Sequence, residues 1–131
     1  MIVERALGAS DELLKLFEDA ITGVHRQRGG DALLESLGVD ETTLDVLLNE
    51  GSLWLATGDN LWGFGVCSRR VIMGIYVEAA HRRQGIGRAL ANEMMRECLP
   101  VDAYALPGDR AMKSLYESFG WKARLLTMRA E

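Results

Sequence analysis

The residues best suited to chemistry lie between Gly74 and Leu90, where the chain reads Gly74-Ile75-Tyr76-Val77-Glu78-Ala79-Ala80-His81-Arg82-Arg83-Gln84-Gly85-Ile86-Gly87-Arg88-Ala89-Leu90. An apolar strand runs into a short loop of arginines and glycines, and the loop opens directly into a helix. The first amides of a helix have no intrahelical partner, and the helix dipole places positive potential there. Glycines at 85 and 87 remove side chains, so an oxyanion can approach the backbone closely. Arg82, Arg83 and Arg88 supply charge, and Arg69 and Arg70 add to the basic residues within twenty positions. The chemistry this favours is the binding of a diphosphate. A Walker loop would need a Gly-Lys-Ser/Thr ending, which is missing. A dinucleotide fingerprint would need a third glycine where Leu90 stands and an acid at the tip of the next strand, which reads Ala103-Tyr104-Ala105-Leu106. A plain glycine-rich connection is the remaining alternative, and the three flanking arginines weigh against it.

A second segment, Asp109-Arg110-Ala111-Met112-Lys113-Ser114-Leu115-Tyr116-Glu117-Ser118-Phe119-Gly120-Trp121, follows the first. Arg82-x-x-Gly85-x-Gly87 resembles the Arg/Gln-x-x-Gly-x-Gly/Ala signature of the GNAT superfamily of N-acetyltransferases. The second segment is similar to that family's Asn-x-x-Ala-x-x-Leu-Tyr-x-x-x-Gly-Phe pattern, with Asp109, Met112 and Trp121 standing where Asn, Ala and Phe are usual. The two segments lie in the family's order. The resemblance implies an acetyl-CoA-dependent transferase that passes a short acyl group to a primary amine of a small molecule or protein, by direct attack in a ternary complex. It also admits a catalytically weak acyl-CoA-binding regulatory module.

The resemblance implies roles for individual positions as well. Ile75, Tyr76 and Val77 would offer backbone groups to the pantetheine arm and the acyl carbonyl. The stretch Arg82, Arg83, Gln84, Gly85, Ile86, Gly87, Arg88 and Ala89 would hold the diphosphate, and Asp109 would lie beside the cofactor. Tyr116 would be the general acid for the departing thiolate; from helical spacing alone it reads as a core aromatic. A general base is not singled out: Glu78, His25, His81 and a water chain all stay open.

These segments need a scaffold. Ile2–Leu7 alternates as a first strand, and Ser10 caps a helix whose Leu13, Leu14, Phe17, Ala20, Ile21 and Val24 share a face. Gly29-Gly30 ends it. A second helix covers Asp31 to Leu37, and Asp40 caps a third that carries Leu44, Leu47 and Leu48. Ser52–Thr57, Leu61–Ser68 and Val71–Val77 read as three successive antiparallel strands, joined by Gly58-Asp59-Asn60 and by Arg69-Arg70. The unbroken apolar run of the third is expected in the middle of a sheet covered on both faces. A helix from about residue 84–87 to Leu99 stops at Pro100, and Val101–Leu106 is a strand. Asp109 caps a helix through Phe119, with Gly120 at its end, and Trp121–Arg129 reads as a last strand. The fold class expected is therefore α/β, a mixed and mostly antiparallel central sheet with helices on both faces. The resemblance adds a splay between the fourth and fifth strands that admits the cofactor.

With 131 residues, 48% of them hydrophobic and 26% charged, one domain spanning 1–131 is expected. A net charge of −4 argues against nucleic acid as a partner. No run of about 20 apolar residues is present to cross a membrane and the N-terminus lacks a signal pattern, so a cytoplasmic location is expected. Cys67 and Cys98 have no metal-like spacing and read as buried thiols, with no metal site expected. The acceptor would be read by the helices between Ser10 and Glu50, where Arg26, Arg28, Glu35, Asp40 and Glu41 are candidates to line the approach. The open edge of the last strand offers a place for a homodimer.

Overall fold

The computed structural model describes residues 1–130. Its elements run β1 (Ile2–Arg5), α1 (Asp11–His25), α2 (Gly30–Leu37), α3 (Leu44–Asn49), β2 (Leu53–Thr57), β3 (Leu61–Ser68), β4 (Val71–Val77), a single 3-10 turn (Ala79–His81), α4 (Ile86–Cys98), β5 (Asp102–Ala103) and α5 (Arg110–Ser118). One sheet has the order β1-β2-β3-β4-β5, antiparallel through β4 and parallel between β4 and β5. Helices cover both faces, as the sequence patterning predicts. Leu13, Leu16, Phe17 and Ile21 of α1, with Leu34, Leu44 and Leu47, pack on Leu53, Leu61, Phe64 and Val66. On the opposite face Ile86, Leu90 and Met94 of α4 pack on Trp54, Ala56, Cys67 and Ile72. Alternation along each strand sends successive side chains to these two cores.

Local chemistry sets the element ends. Ser10 Oγ accepts from the amide of Leu13 at 3.1 Å, and Asp109 Oδ1 accepts from that of Met112 at 3.1 Å, so both predicted caps form. Asp40 does not cap α3: its carboxylate accepts from Thr42, and Thr43 occupies the N-cap position. Three residues between Asp40 and the helix let the carboxylate close its own turn first. Arg69 and Arg70, with φ of 53° and 64°, form the left-handed two-residue turn between β3 and β4.

Two strand expectations are corrected. Of Val101–Leu106 only Asp102–Ala103 is strand, opposite Val71 and Ile72. After Tyr104, whose amide donates to Ile72 O at 3.2 Å, the chain leaves β4. Leu106 and Pro107 approach Gly29 at the α1–α2 junction. Trp121–Arg129 is not a strand, and Leu125, Leu126 and Met128 stay exposed. A two-residue β5 offers too short a ladder to recruit another strand. The fourth strand differs too: only Ile72 of β4 is fully buried, and its remaining residues are half-buried.

Among the glycines, Gly30 at the α1–α2 junction has the least room. A Cβ built on Gly30 would lie 1.7 Å from Val24 O, whereas one on Gly23, inside α1, meets nothing within 4 Å. In urea unfolding, Gly30→Ala should destabilise by about 3 kcal/mol through forced backbone movement, while Gly23→Ala should stabilise by about 0.5–1 kcal/mol. Equal midpoints for the two variants would contradict this packing.

Candidate active site

The cradle predicted between β4 and α4 is built by backbone conformation. Arg83 and Gly85 are both left-handed, with φ of 64° and 80°, and Gly85 serves as N-cap of α4 without a side-chain cap. The first backbone donor of the helix is the amide of Ala89, which bonds Gly85 O at 3.0 Å. Among the described residues the amides from Arg83 to Arg88 find no acceptor. A Cβ on Gly85 would meet nothing within 4 Å, so the approach is open. On Gly87 it would touch Leu115 Cδ2 at 3.7 Å and Ile75 Cγ2 at 3.8 Å, which places Gly87 over the gap between β4 and α5. Alternating left-handed residues followed by free helix amides make a concave nest of donors suited to an anion.

The arginines divide differently from the sequence expectation. The seven residues of β4, at about 3.3 Å each, hold Arg69 and Arg70 at the far end of the strand from the cradle. Arg82 folds back, its Nε donating to Val77 O at 3.0 Å and its guanidinium lying over the Tyr76 ring at 5.5 Å. Arg88 donates to Ser118 Oγ at 2.6 Å and lies over Phe119 at 4.8 Å, which ties α4 to α5. Arg82 and Arg88 brace the loop, and Arg83 is the exposed guanidinium beside the free amides that makes no ion pair or hydrogen bond among the described residues.

Beside the cradle, β4 loses its neighbour. Its pairing with β5 stops at Ile72, so Gly74, Ile75, Tyr76 and Val77 have β3 on one side and no strand on the other. The ladder with β3 also steps here: Cys67 pairs with Ile72 and Val66 with Gly74, leaving Met73 as the extra residue of a β-bulge. Sequence reasoning missed this bulge, although a glycine inside an otherwise apolar strand is its usual mark.

Tyr116 is placed by the end of α5. Gly120, at φ 83°, donates to Glu117 O at 2.9 Å, and the Trp121 amide donates to Tyr116 O at 3.3 Å. This closure folds Trp121 back to stack on the Tyr116 ring, centroids 5.3 Å apart and planes 10° from parallel. The phenol is buried and its hydroxyl has no hydrogen-bond partner among the described residues. Buried hydroxyls are nearly always bonded, so an orphan of this kind points to a partner from outside the chain. Burial first, and the Asp109 carboxylate second, push its pKa well above the ordinary value of 10.

The candidate bases are also located. Glu78 and His81 sit on the turn that leaves β4, with Glu78 Oε2 3.9 Å from His81 Nε2 and the imidazole stacked on Trp62 at 4.8 Å. His25 ends α1 and pairs with Asp31 at 2.6 Å. Two depressions of about 330 and 340 Å³ lie elsewhere, one between Ser10–Asp11 and Glu41–Asp45 and the other around Trp54, Cys67 and Cys98. Neither includes a residue of the cradle. In the second, burial and then the neighbouring Cys98 push the Cys67 thiol up to about 12. Among the described residues no helix is long and apolar enough to cross a membrane.

Solved structures share this fold. A ribosomal-protein-alanine N-acetyltransferase from Brucella melitensis is 21% identical, with a TM-score of 0.69 over 92% of this chain and 83% of that one. The aminoglycoside N-acetyltransferase AAC(6')-Iy, solved with a CoA bisubstrate analogue, is 16% identical at a TM-score of 0.63 over 99% and 97%. The aminoglycoside 6'-N-acetyltransferase AAC(6')-IG from Acinetobacter haemolyticus is 17% identical at 0.60 over 100% and 99%. At these identities the likeness is one of fold. Among curated proteins none is similar enough in sequence to match. The family model described as an acetyltransferase (GNAT) domain matches residues 49–123, more than half of the chain, and carries both the cradle and Tyr116. The chain belongs to the GNAT acetyltransferase family.

Proposed function

We propose that this protein transfers a short acyl group from acetyl-CoA to a primary amine by direct attack within a ternary complex. The observation that carries the reading is the run of free amides from Arg83 to Arg88 beside the unpaired half of β4. Free helix amides suit a diphosphate, and an open strand edge suits an extended amide-bearing arm that can bond as a strand would. The orphaned Tyr116 hydroxyl and the open approach at Gly85 fit the same ligand. Acetyl-CoA, when bound, supplies the acyl group in activated form as a thioester.

The chain's own residues then divide the work. Amides 83–88 and the guanidinium of Arg83 hold the diphosphate, with Gln84, Ile86 and Ala89 contributing through the backbone of the same turn. Ile75, Tyr76 and Val77 fix the arm along β4. Tyr116 stays protonated across the working pH range, so it acts as a donor and never as a base. A phenolate there would be buried and would face the Asp109 charge. Its role is therefore a hydrogen bond that strengthens as negative charge grows on the departing sulfur, while the net proton comes from the amine. Asp109 acts on the cofactor side through Tyr116, its carboxylate already accepting from Met112 as the cap of α5. That same carboxylate favours a second reading, an acyl-CoA-binding module without turnover, because it makes Tyr116 a weaker acid. The amine, from a small molecule or a protein, would enter near the α1–α2 junction, where Gly29 meets Leu106 and Pro107.

Three measurements check the proposal. Calorimetric titration with acetyl-CoA should give binding that Gly87→Ala weakens by roughly tenfold, because the added methyl enters the gap between β4 and α5, while the melting temperature stays the same or rises with better helix propensity. Loss of stability together with affinity would make Gly87 a packing glycine only. Tyr116→Phe should lower thiol release from acetyl-CoA by about 10²-fold across a panel of aminoglycosides, polyamines and peptide amines, with the KM for acetyl-CoA unchanged. The same variant should be more stable by about 1 kcal/mol, since it removes an unsatisfied buried hydroxyl. Unchanged turnover would remove Tyr116 from the chemistry, and binding with no turnover in the parent would favour the regulatory module. Finally, Asp109→Asn keeps the cap but removes the charge that raises the Tyr116 pKa. Because burial is the larger cause of that rise, Tyr116 stays protonated across the working range in this variant too, and the shape of the rate profile should not change. An alkaline limb that moves to lower pH in Asp109→Asn would show that Tyr116 titrates during turnover, against the proposal.

A further inference from the structure

Gly74 stands at the bulge of β4, yet nothing in the chain requires a glycine there. Its φ is not in the left-handed region, and a Cβ built on it meets nothing within 4 Å. The other strand glycines differ: at Gly63 a Cβ would lie 2.8 Å from Tyr76 O, and at Gly65 it would lie 2.6 Å from Met94 Cε. A glycine inside a strand weakens it and leaves a gap in its packed face. At Gly74 that cost is unaccompanied by any gain in conformation or packing.

The gap has a defined position. Gly74 pairs with Val66, which belongs to the core under α1, and opposed residues of antiparallel strands point to the same face. Met73 and Tyr76 pack into that same core. The missing side chain therefore leaves room on the α1 side of β4, bordered by a valine, a thioether and an aromatic ring. It lies at the first residue beyond the last β5 pair apart from the bulged Met73, where the strand edge opens. Gly74 is half-buried, so the room is not sealed in the core.

We infer that Gly74 keeps open an apolar seat for the acyl chain and sets its length, admitting linear groups longer than acetyl. This rests on the proposed acyl-CoA reading. That reading lays the arm along Ile75–Val77, and the seat adjoins the next residue of the same strand. The side chains that border it, Val66, Met73 and Tyr76, are apolar bodies, and the charge near them is the Arg82 guanidinium on the Tyr76 ring, a cation that suits methylenes of a short fatty acyl group better than an amine acceptor. Each CH₂ that enters such a seat adds about 0.8 kcal/mol, close to fourfold in affinity.

The test is calorimetric titration with CoA, acetyl-CoA, propionyl-CoA and n-butyryl-CoA, on the parent chain and on Gly74→Ala and Gly74→Val. Affinity in the parent should rise by up to about fourfold per added CH₂. Gly74→Val should abolish the rise while leaving the affinity for CoA itself unchanged, with Gly74→Ala in between. Both variants should melt no lower than the parent, because the added Cβ meets nothing within 4 Å and valine favours strands. Propionyl and butyryl forms that bind no tighter than acetyl-CoA in the parent, or a rise that survives in Gly74→Val, would overturn the inference while CoA binding itself stands. Should Gly74→Val fail to fold, the inferred empty space is wrong and Gly74→Ala decides the acyl question alone. Absence of CoA binding in the parent would remove the acyl-CoA reading, and the seat with it.

Discussion

The site depends on the early end of β5. A strand that pairs over two residues and then turns toward the α1–α2 junction leaves half of β4 with backbone donors and acceptors on one side unmatched by any strand. Backbone polar groups have to be satisfied somewhere, and an apolar strand left half-exposed retains free energy that a ligand can recover. The residues that make β4 the most apolar strand of the chain are the ones left in this condition. Helix α4 begins just past that opening, and its free amides face the same problem in another form. Two sets of unmet hydrogen-bonding groups, one on an edge and one at a helix start, adjoin across the short turn from Glu78 to Gly85.

The charges around this opening serve mostly to hold it in shape. Arg82 closes onto the end of β4 and Arg88 onto the end of α5, each with one hydrogen bond and one ring contact. An arginine packed over an aromatic ring keeps its charge near the site while its position is fixed. Arg83, held left-handed, keeps an exposed guanidinium for a ligand. At the other wall, the Schellman closure of α5 through Gly120 and Trp121 sets Tyr116, so the phenol is positioned by its own helix end and by stacking. An acidic protein can in this way present a compact basic and donor-rich spot without a basic surface.

Much of this was legible in the sequence because it is local. Helix caps at Ser10 and Asp109, the glycine end of α5 at Gly120 and the Arg69-Arg70 turn are chemistry between near neighbours, and the pattern states them directly. The apolar runs between turn residues that assigned Leu61–Ser68 and Val71–Val77 are likewise a local property. What escaped depends on partners distant in the chain. Trp121–Arg129 has the composition of a strand and finds no ladder, since β5 is too short to offer one. The bulge at Met73 is a relation between strands, signalled in sequence only by Gly74, whereas the parting of β4 from β5 was implied by the family resemblance and not by the pattern of the strands themselves. Sequence proximity also gathered five arginines into one patch, which a fully extended β4 then divides. Asp40 shows the same limit on a smaller scale: a turn closed by its carboxylate outcompetes the cap it was expected to provide.

The most direct test of the account is amide hydrogen exchange with and without coenzyme A, read residue by residue. Free amides at positions 83–88 and those of Ile75 and Val77 on the open edge of β4 should exchange readily in the chain alone and become protected together when the ligand is added, with the two edge strands unchanged. Binding that leaves these amides as fast as before, or that protects a different surface, would contradict the claim that unmet backbone groups between β4 and α4 are what the protein uses to hold its ligand.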